Sequence, residues 1–121
     1  MAWNLNSDRP IYTQILEVIK MRIITGVYQP GEKIPSVREL AMQAGVNPNT
    51  MQKALSELET SGLVMAQRTS GRVVTEDMDM IGEVRNNLAK EQVHEFFVRM
   101  QELGYNRQEI MHLLEKEGEH E

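Results

Sequence analysis

Apolar positions fall into helical stripes along most of the chain. Ile11, Ile15, Val18, Ile19 and Ile23 recur at three- and four-residue intervals, and Tyr12 and Ile24 widen the stripe, which predicts a helix from Ile11 to Thr25. Gly26 and the Pro30-Gly31 pair punctuate its end. Ser36-Val37-Arg38-Glu39 has capping-box spacing, so a second helix starts there, with Val37, Leu40 and Ala41 turned inward and Gly45 as its stop. Val46 reads as the buried pivot of a tight turn. Asn47 caps a third helix and Pro48 takes its first position, where no amide partner is lost. Met51, Ala54, Leu55 and Leu58 form the inner face of that helix as far as Ser61, and Gly62 closes it. Two short extended pieces, Leu63–Gln67 and Arg72–Thr75, flank Thr69-Ser70-Gly71 and read as a small hairpin. The run Glu76-Asp77-Met78-Asp79 marks a boundary. Beyond it, Ile81, Val84, Leu88, Val93, Phe96, Phe97, Met100 and Leu103 stripe a long helix that Gly104 stops. Asn106 and Glu109 repeat the capping-box spacing ahead of a last short helix carrying Ile110, Met111, Leu113 and Leu114.

The expected fold is therefore mainly α with a small β wing. Residues 1–75 form a winged helix-turn-helix and residues 76–121 a two-helix C-terminal dimerisation appendage. With 121 residues and an apolar fraction of 40%, one such domain and its appendage can be built. The absence of cysteine removes disulfides, thiolate catalysis and zinc fingers. Nothing resembles a secretory signal or an apolar membrane span, and the default address is cytoplasmic. The net charge of −5 argues against a nucleic-acid binder until its distribution is considered. Residues 1–75 carry eight Lys/Arg against six Asp/Glu, whereas residues 76–121 carry five against twelve. The front half is the part able to meet phosphate.

A helix-turn-helix braces one helix across the DNA backbone and puts the start of the next into the major groove. The exposed early residues of the second helix are Asn49, Thr50, Gln52 and Lys53. Asn49 and Gln52 carry amides suited to adenine edges, and Thr50 and the helix N-terminus suit phosphate. Lys53 and Arg38 suit phosphate or guanine. Arg68, Gly71 and Arg72 lie on the wing beside Gln67, where a glycine permits close approach to a minor groove. Each residue also has a plainer use. Ser36 and Asn47 serve as caps, Lys53 as a solvated lysine, Gly71 as a turn residue, and Arg38 as a partner for Glu39 or Glu57.

The appendage stripe needs a cover. Leu88, Val93, Phe96, Phe97, Met100, Leu103, Ile110 and Leu114 are assigned to a two-fold homodimer seam, the alternative being packing on the chain's own winged domain. Catalytic residues are not expected. Ser36, Ser56, Ser61 and Ser70 have no evident histidine partner, and Glu57 and Glu59 diverge on a helix. No metal or cofactor site is expected. His94 with Glu91 or Glu95 is ordinary for an acidic helix, as are His112 and His120. Trp3 and Tyr105 read as packing residues. The rival to DNA binding is a winged-helix protein–protein adaptor.

Pro10-Ile11-Tyr12-Thr13-Gln14-Ile15, then Gly26, then Pro30-Gly31-Glu32-Lys33-Ile34-Pro35-Ser36-Val37-Arg38-Glu39-Leu40-Ala41 closely resemble the start of a GntR-family regulator. The likeness continues through Gly45-Val46-Asn47, Asn49-Thr50, Ala54-Leu55, Leu58-Glu59 and Gly62-Leu63. It implies a bacterial transcription regulator that binds double-stranded operator DNA as a homodimer. By position it implies that Arg38 is a principal DNA-contacting arginine and Ser36 a backbone contact. It also puts Asn49 and Thr50 at the DNA end of the recognition helix and Gly71 at the wing tip. Two residues depart from the pattern. Pro48 stands where arginine or another polar residue is common, and Thr69 replaces the first glycine of the usual wing pair. The short appendage resembles the YtrA-like branch, whose members often repress operons for ABC transporters or cell-envelope responses. No effector is identified by these residues.

Overall fold

A computed structural model describes residues 3–68 and 71–118. The elements are α1 (Ile11–Ile24), α2 (Val37–Ala44), α3 (Pro48–Ser61), β1 (Val64–Ala66), β2 (Arg72–Val74), α4 (Met78–Glu102) and α5 (Arg107–Gly118). The chain divides into two compact units, Met1–Glu83 and Val84–Glu121. The division falls inside α4, some residues beyond the position 75/76 expected from sequence. The predicted helical stop signals act as such: Gly45 and Gly62 both sit in the left-handed region, at φ 73° and 90°. That conformation is open to glycine at little cost.

The core of the first unit is built from one face of each of its first three helices. Ile15, Leu16, Ile19 and Ile23 of α1 and Leu40, Ala41 and Ala44 of α2 are buried as both helices pack on α3, whose buried face is Met51, Ala54, Leu55 and Leu58. Tyr28, Ile34, Leu63, Val64, Val74 and Ile81 are buried with them. Two expected inward residues, Val37 and Val46, are half-buried, because both stand where the chain enters or leaves a helix at the surface. In α1 the buried face takes in Gln14 and Leu16, while Ile11 and Val18 are only half-buried.

The wing is an antiparallel pair with Val64 opposite Val74, Met65 opposite Val73 and Ala66 opposite Arg72. Its strands are shorter than the sequence pattern suggests. A third backbone stretch, residues 31–34, pairs with the outer side of β2. Ile34 N–H donates to the Arg72 carbonyl, Val74 N–H to that of Glu32 and Gly31 N–H to that of Val74. This pairing ties the loop before α2 to the wing. Residues 69 and 70, including the Thr69 departure, lie outside the described residues, as does His120.

Helix α4 starts at Met78, three residues before the apolar stripe begins. The reason is local: Asp77 Oδ1 accepts the Met80 amide at 3.1 Å, and Thr75 Oγ1 accepts the Asp77 amide at 3.1 Å. An aspartate cap sets the start and the stripe only follows it. Gly82 sits within this helix, and a Cβ there would meet nothing within 4 Å. Gly82→Ala is therefore expected to stabilise the protein by about 0.5–1 kcal/mol, read as a higher urea midpoint with unchanged slope.

In the second unit, Asn106 Oδ1 accepts the Glu109 amide at 2.9 Å and Glu109 Oε1 accepts the Asn106 amide at 3.0 Å, which is the expected capping box. Phe96 and Phe97 pack edge to face, 5.9 Å apart, and the Arg107 guanidinium stands over the Phe97 ring. Ile110 is wholly buried within the single chain. It was expected on the dimer seam, but its side chain belongs to the chain's own core. Leu88, Phe96, Phe97 and Met100 are half-buried, while Val93, Leu103 and Leu114 stay exposed.

Candidate nucleic-acid interface

Helices α2 and α3 are each capped at their N-terminus, and Gly45 in the left-handed region closes the turn between them. Ser36 Oγ accepts the Glu39 amide at 3.1 Å, and Glu39 Oε1 accepts the Ser36 amide at 3.3 Å, closing the capping box. Asn47 Oδ1 accepts the Asn49 amide at 2.7 Å. These bonds use acceptor oxygens only. The Ser36 hydroxyl proton and the Asn47 amide protons remain donors at exposed positions, so capping and phosphate binding are compatible uses of the same side chains.

That compatibility separates two effects of substitution. Ser36→Ala is expected to lose about 1 kcal/mol of stability, as cap removal does, and to weaken DNA binding. Ser36→Asp is expected to keep the cap and the thermal midpoint while binding DNA more weakly than Ser36→Ala, because its carboxylate faces phosphate. Thermal unfolding and fluorescence anisotropy on the two variants check this pair of outcomes.

The outer face of α3 carries Asn49, Gln52 and Lys53, all exposed, with Thr50 half-buried beside them. Lys53 is the only cation on this helix. Its ammonium lies over the Tyr12 ring of α1, 4.1 Å from the centroid, rather than against Glu57 one turn along. The Gln52 amide reaches Ser56 Oγ at 3.3 Å, a long contact on the exposed face. Arg38 is exposed and makes no hydrogen bond or ion pair among the described residues. Neither Glu39, which closes the capping box through Oε1, nor Glu57 forms an ion pair with it.

The wing holds a different arrangement. Arg72 is half-buried, and its Nε donates to Glu59 of α3. This ion pair braces the wing against the recognition helix, so Arg72 is less available to a groove than its place in the sequence suggests. Arg68 is exposed. Gly71 has φ 72°, and a Cβ there would stand 2.9 Å from Cε of Lys33. The Lys33 stem thus lies along the wing's glycine. The sequence pattern includes Lys33 without placing it at the wing, because only the pairing of residues 31–34 with β2 brings it there. The structure thus collects Ser36, Arg38, Asn47, Asn49, Thr50, Gln52, Lys53, Arg68 and Gly71 on the winged unit, and adds Lys33.

Among the described residues no group of histidines and acids is arranged to hold a metal ion, and no helix is long and apolar enough to cross a membrane.

Comparison with known proteins agrees with this geometry. Residues 11–74 match the family model for bacterial regulatory proteins of the gntR family. The chain is 39% identical to the uncharacterised HTH-type transcriptional regulator YhcF of Bacillus subtilis (strain 168), across 87% of each chain. It is 38% identical to the HTH-type transcriptional repressor YtrA of the same organism, over 76% of this chain and 72% of that one. In structure it is similar to a GntR family transcriptional regulator from Listeria monocytogenes, with a TM-score of 0.84 at 38% identity, over 93% of this chain and 98% of that one. AraR(DBD) in complex with an operator is similar to it with a TM-score of 0.54 at 33% identity, over 62% of this chain and 92% of that one. Capped helix-turn-helix, braced wing and relatives matched over most of their length lead to one assignment: the chain belongs to the GntR family and is a winged-helix, DNA-binding transcriptional regulator.

Proposed function

We propose that this regulator is a repressor that occupies a two-fold symmetric operator as a homodimer. The observation that carries the reading is the exposed face at the start of the capped helix α3, with Asn49, Gln52 and Lys53, together with an exposed, unpaired Arg38 in the first turn of the capped helix α2. One such face reads few base pairs, and two related by a dyad read a palindrome. Asn49 and Gln52 read base edges, Arg38 reads guanine or grips phosphate, and Ser36, Asn47, Thr50 and Lys53 hold the backbone. Arg68, Gly71 and Lys33 bring the wing to the neighbouring groove.

The second unit supplies the seam. Val93, Leu103 and Leu114 are 56%, 72% and 44% exposed in the single chain, an apolar set that a second copy would cover. Leu88, Phe96, Phe97 and Met100 complete the face. The likeness to YtrA, named a repressor, supports repression here, and an operon for an ABC transporter or a cell-envelope response is the proposed target. Binding operator DNA places its work in the cytoplasm. Release by an effector requires that it bind one dimer geometry better than the other.

Anisotropy of a labelled duplex carrying a site selected from random DNA by the purified protein tests the proposal. The expected result is saturation at two chains per duplex, with affinity falling steeply between low and moderate salt. Saturation at one chain, or affinity indifferent to salt, contradicts it.

A further inference from the structure

Residues 3–10 precede the matched family segment, yet they are fixed at two points. The Gln14 side chain, only 4% exposed, is spent on this strap: its Oε1 accepts the Asn6 amide at 2.9 Å, and its Nε2 donates to the carbonyls of Asn6 at 2.7 Å and Arg9 at 3.0 Å. At the strap's other end the Arg22 guanidinium stacks on Trp3, 4.6 Å from the ring centroid, and donates to Tyr28 Oη at 2.8 Å. A half-buried indole is thereby held in place.

Between the strap and the start of the recognition helix lies an open cleft of about 440 Å³. Trp3 and Leu5 form one wall, and Val46, Asn47 and Thr50 the other. No acidic side chain lines it. The first wall is apolar, as a deoxyribose ring requires. The second offers the Asn47 amide and Thr50 hydroxyl to phosphate. Arg22 behind the indole adds positive charge, and Asn47 and Thr50 make the cleft continuous with the DNA-reading face.

We propose that the N-terminal strap extends the DNA interface, with the sugar–phosphate backbone of the operator running in this cleft and Trp3 packed against a deoxyribose. The inference rests on the recognition-helix reading above. It makes Trp3 a DNA-contacting residue, held in register by Arg22 and Gln14.

Trp3 is the only tryptophan in the chain, so its emission reports this site alone. Acrylamide quenching is measured on the whole protein with and without saturating operator duplex, with binding scored in parallel by anisotropy. The expected result is a Stern–Volmer constant lowered at least about two-fold by operator, as a covered side chain gives. Trp3→Leu is expected to weaken operator binding about five-fold, the effect of losing roughly 40 Å² of apolar contact, and Trp3→Phe to recover most of it. An indole equally quenchable with operator bound overturns the proposal, even if Trp3→Leu binds less well, since that loss would then be structural. So does an unchanged affinity in Trp3→Leu. If Asn49→Ala and Lys53→Met bind operator like the natural chain, the recognition-helix reading itself fails. If they lose binding while Trp3 stays fully quenchable, only the strap proposal fails.

Discussion

Leu103→Asp combined with Val93→Asp is expected to yield monomers and to weaken operator binding by two orders of magnitude or more. Both side chains are more than half exposed in the single chain, so a carboxylate at either costs the isolated fold little. In a seam it faces apolar surface and, by symmetry, its own copy, and an unpaired charge there is strongly unfavourable. The loss in DNA binding follows from linkage. Two joined half-site readers bind with an avidity about 10²–10⁴ above either alone, and separating them forfeits that gain. Phe96 and Phe97 are poorer places for the test: they pack on each other, and Arg107 covers Phe97, so a charge there would damage the unit as well as the seam. Light scattering and operator titration on the double variant give the outcome. A variant that remains dimeric puts the seam elsewhere.

Arg38→Ala is expected to leave thermal stability within about 0.5 kcal/mol of the natural chain and to cost about 3 kcal/mol in operator binding over two half-sites. That is on the order of a hundred-fold in Kd. The asymmetry follows from its surroundings. Arg38 has no partner to lose in the free protein: it makes no hydrogen bond or ion pair among the described residues. Arg38→Lys then tells base from backbone. A guanine contact through the forked guanidinium is not restored by lysine, whereas a phosphate contact largely is. An Arg38→Ala variant with unchanged affinity would remove this residue from the interface.

The parts of this fold written most plainly in the sequence are those decided locally. Ser36 with Glu39, Asn47 with Pro48, and the glycines at 45 and 62 each specify a helix end through bonds spanning a few residues, and all four ends form as expected. Asp77 belongs to the same class, but the apolar stripe drew attention to Ile81 and hid an earlier cap. What sequence reading missed depends on long-range contact. Lys33 reaches the wing only because residues 31–34 pair with β2, Arg72 turns from groove to brace because Glu59 is brought beside it, and Ile110 turns out to be buried in its own chain. Gln14 is hidden for a related reason. A glutamine in an apolar stripe looks like a surface residue until the strap that consumes its amide is in view. The candidate residues could thus be named from sequence, while the contacts that brace Arg72 and bring Lys33 to the wing could not.

The central claim is that two copies of this winged unit read one two-fold operator. In vitro selection from random duplex DNA, run with purified protein at two salt concentrations, tests it most directly. The account predicts enrichment of an inverted repeat whose half-sites lie about one helical turn apart, or a multiple of it, bound more weakly at the higher salt. Failure to enrich any sequence with folded, dimeric protein, or enrichment of a single asymmetric half-site, would contradict it.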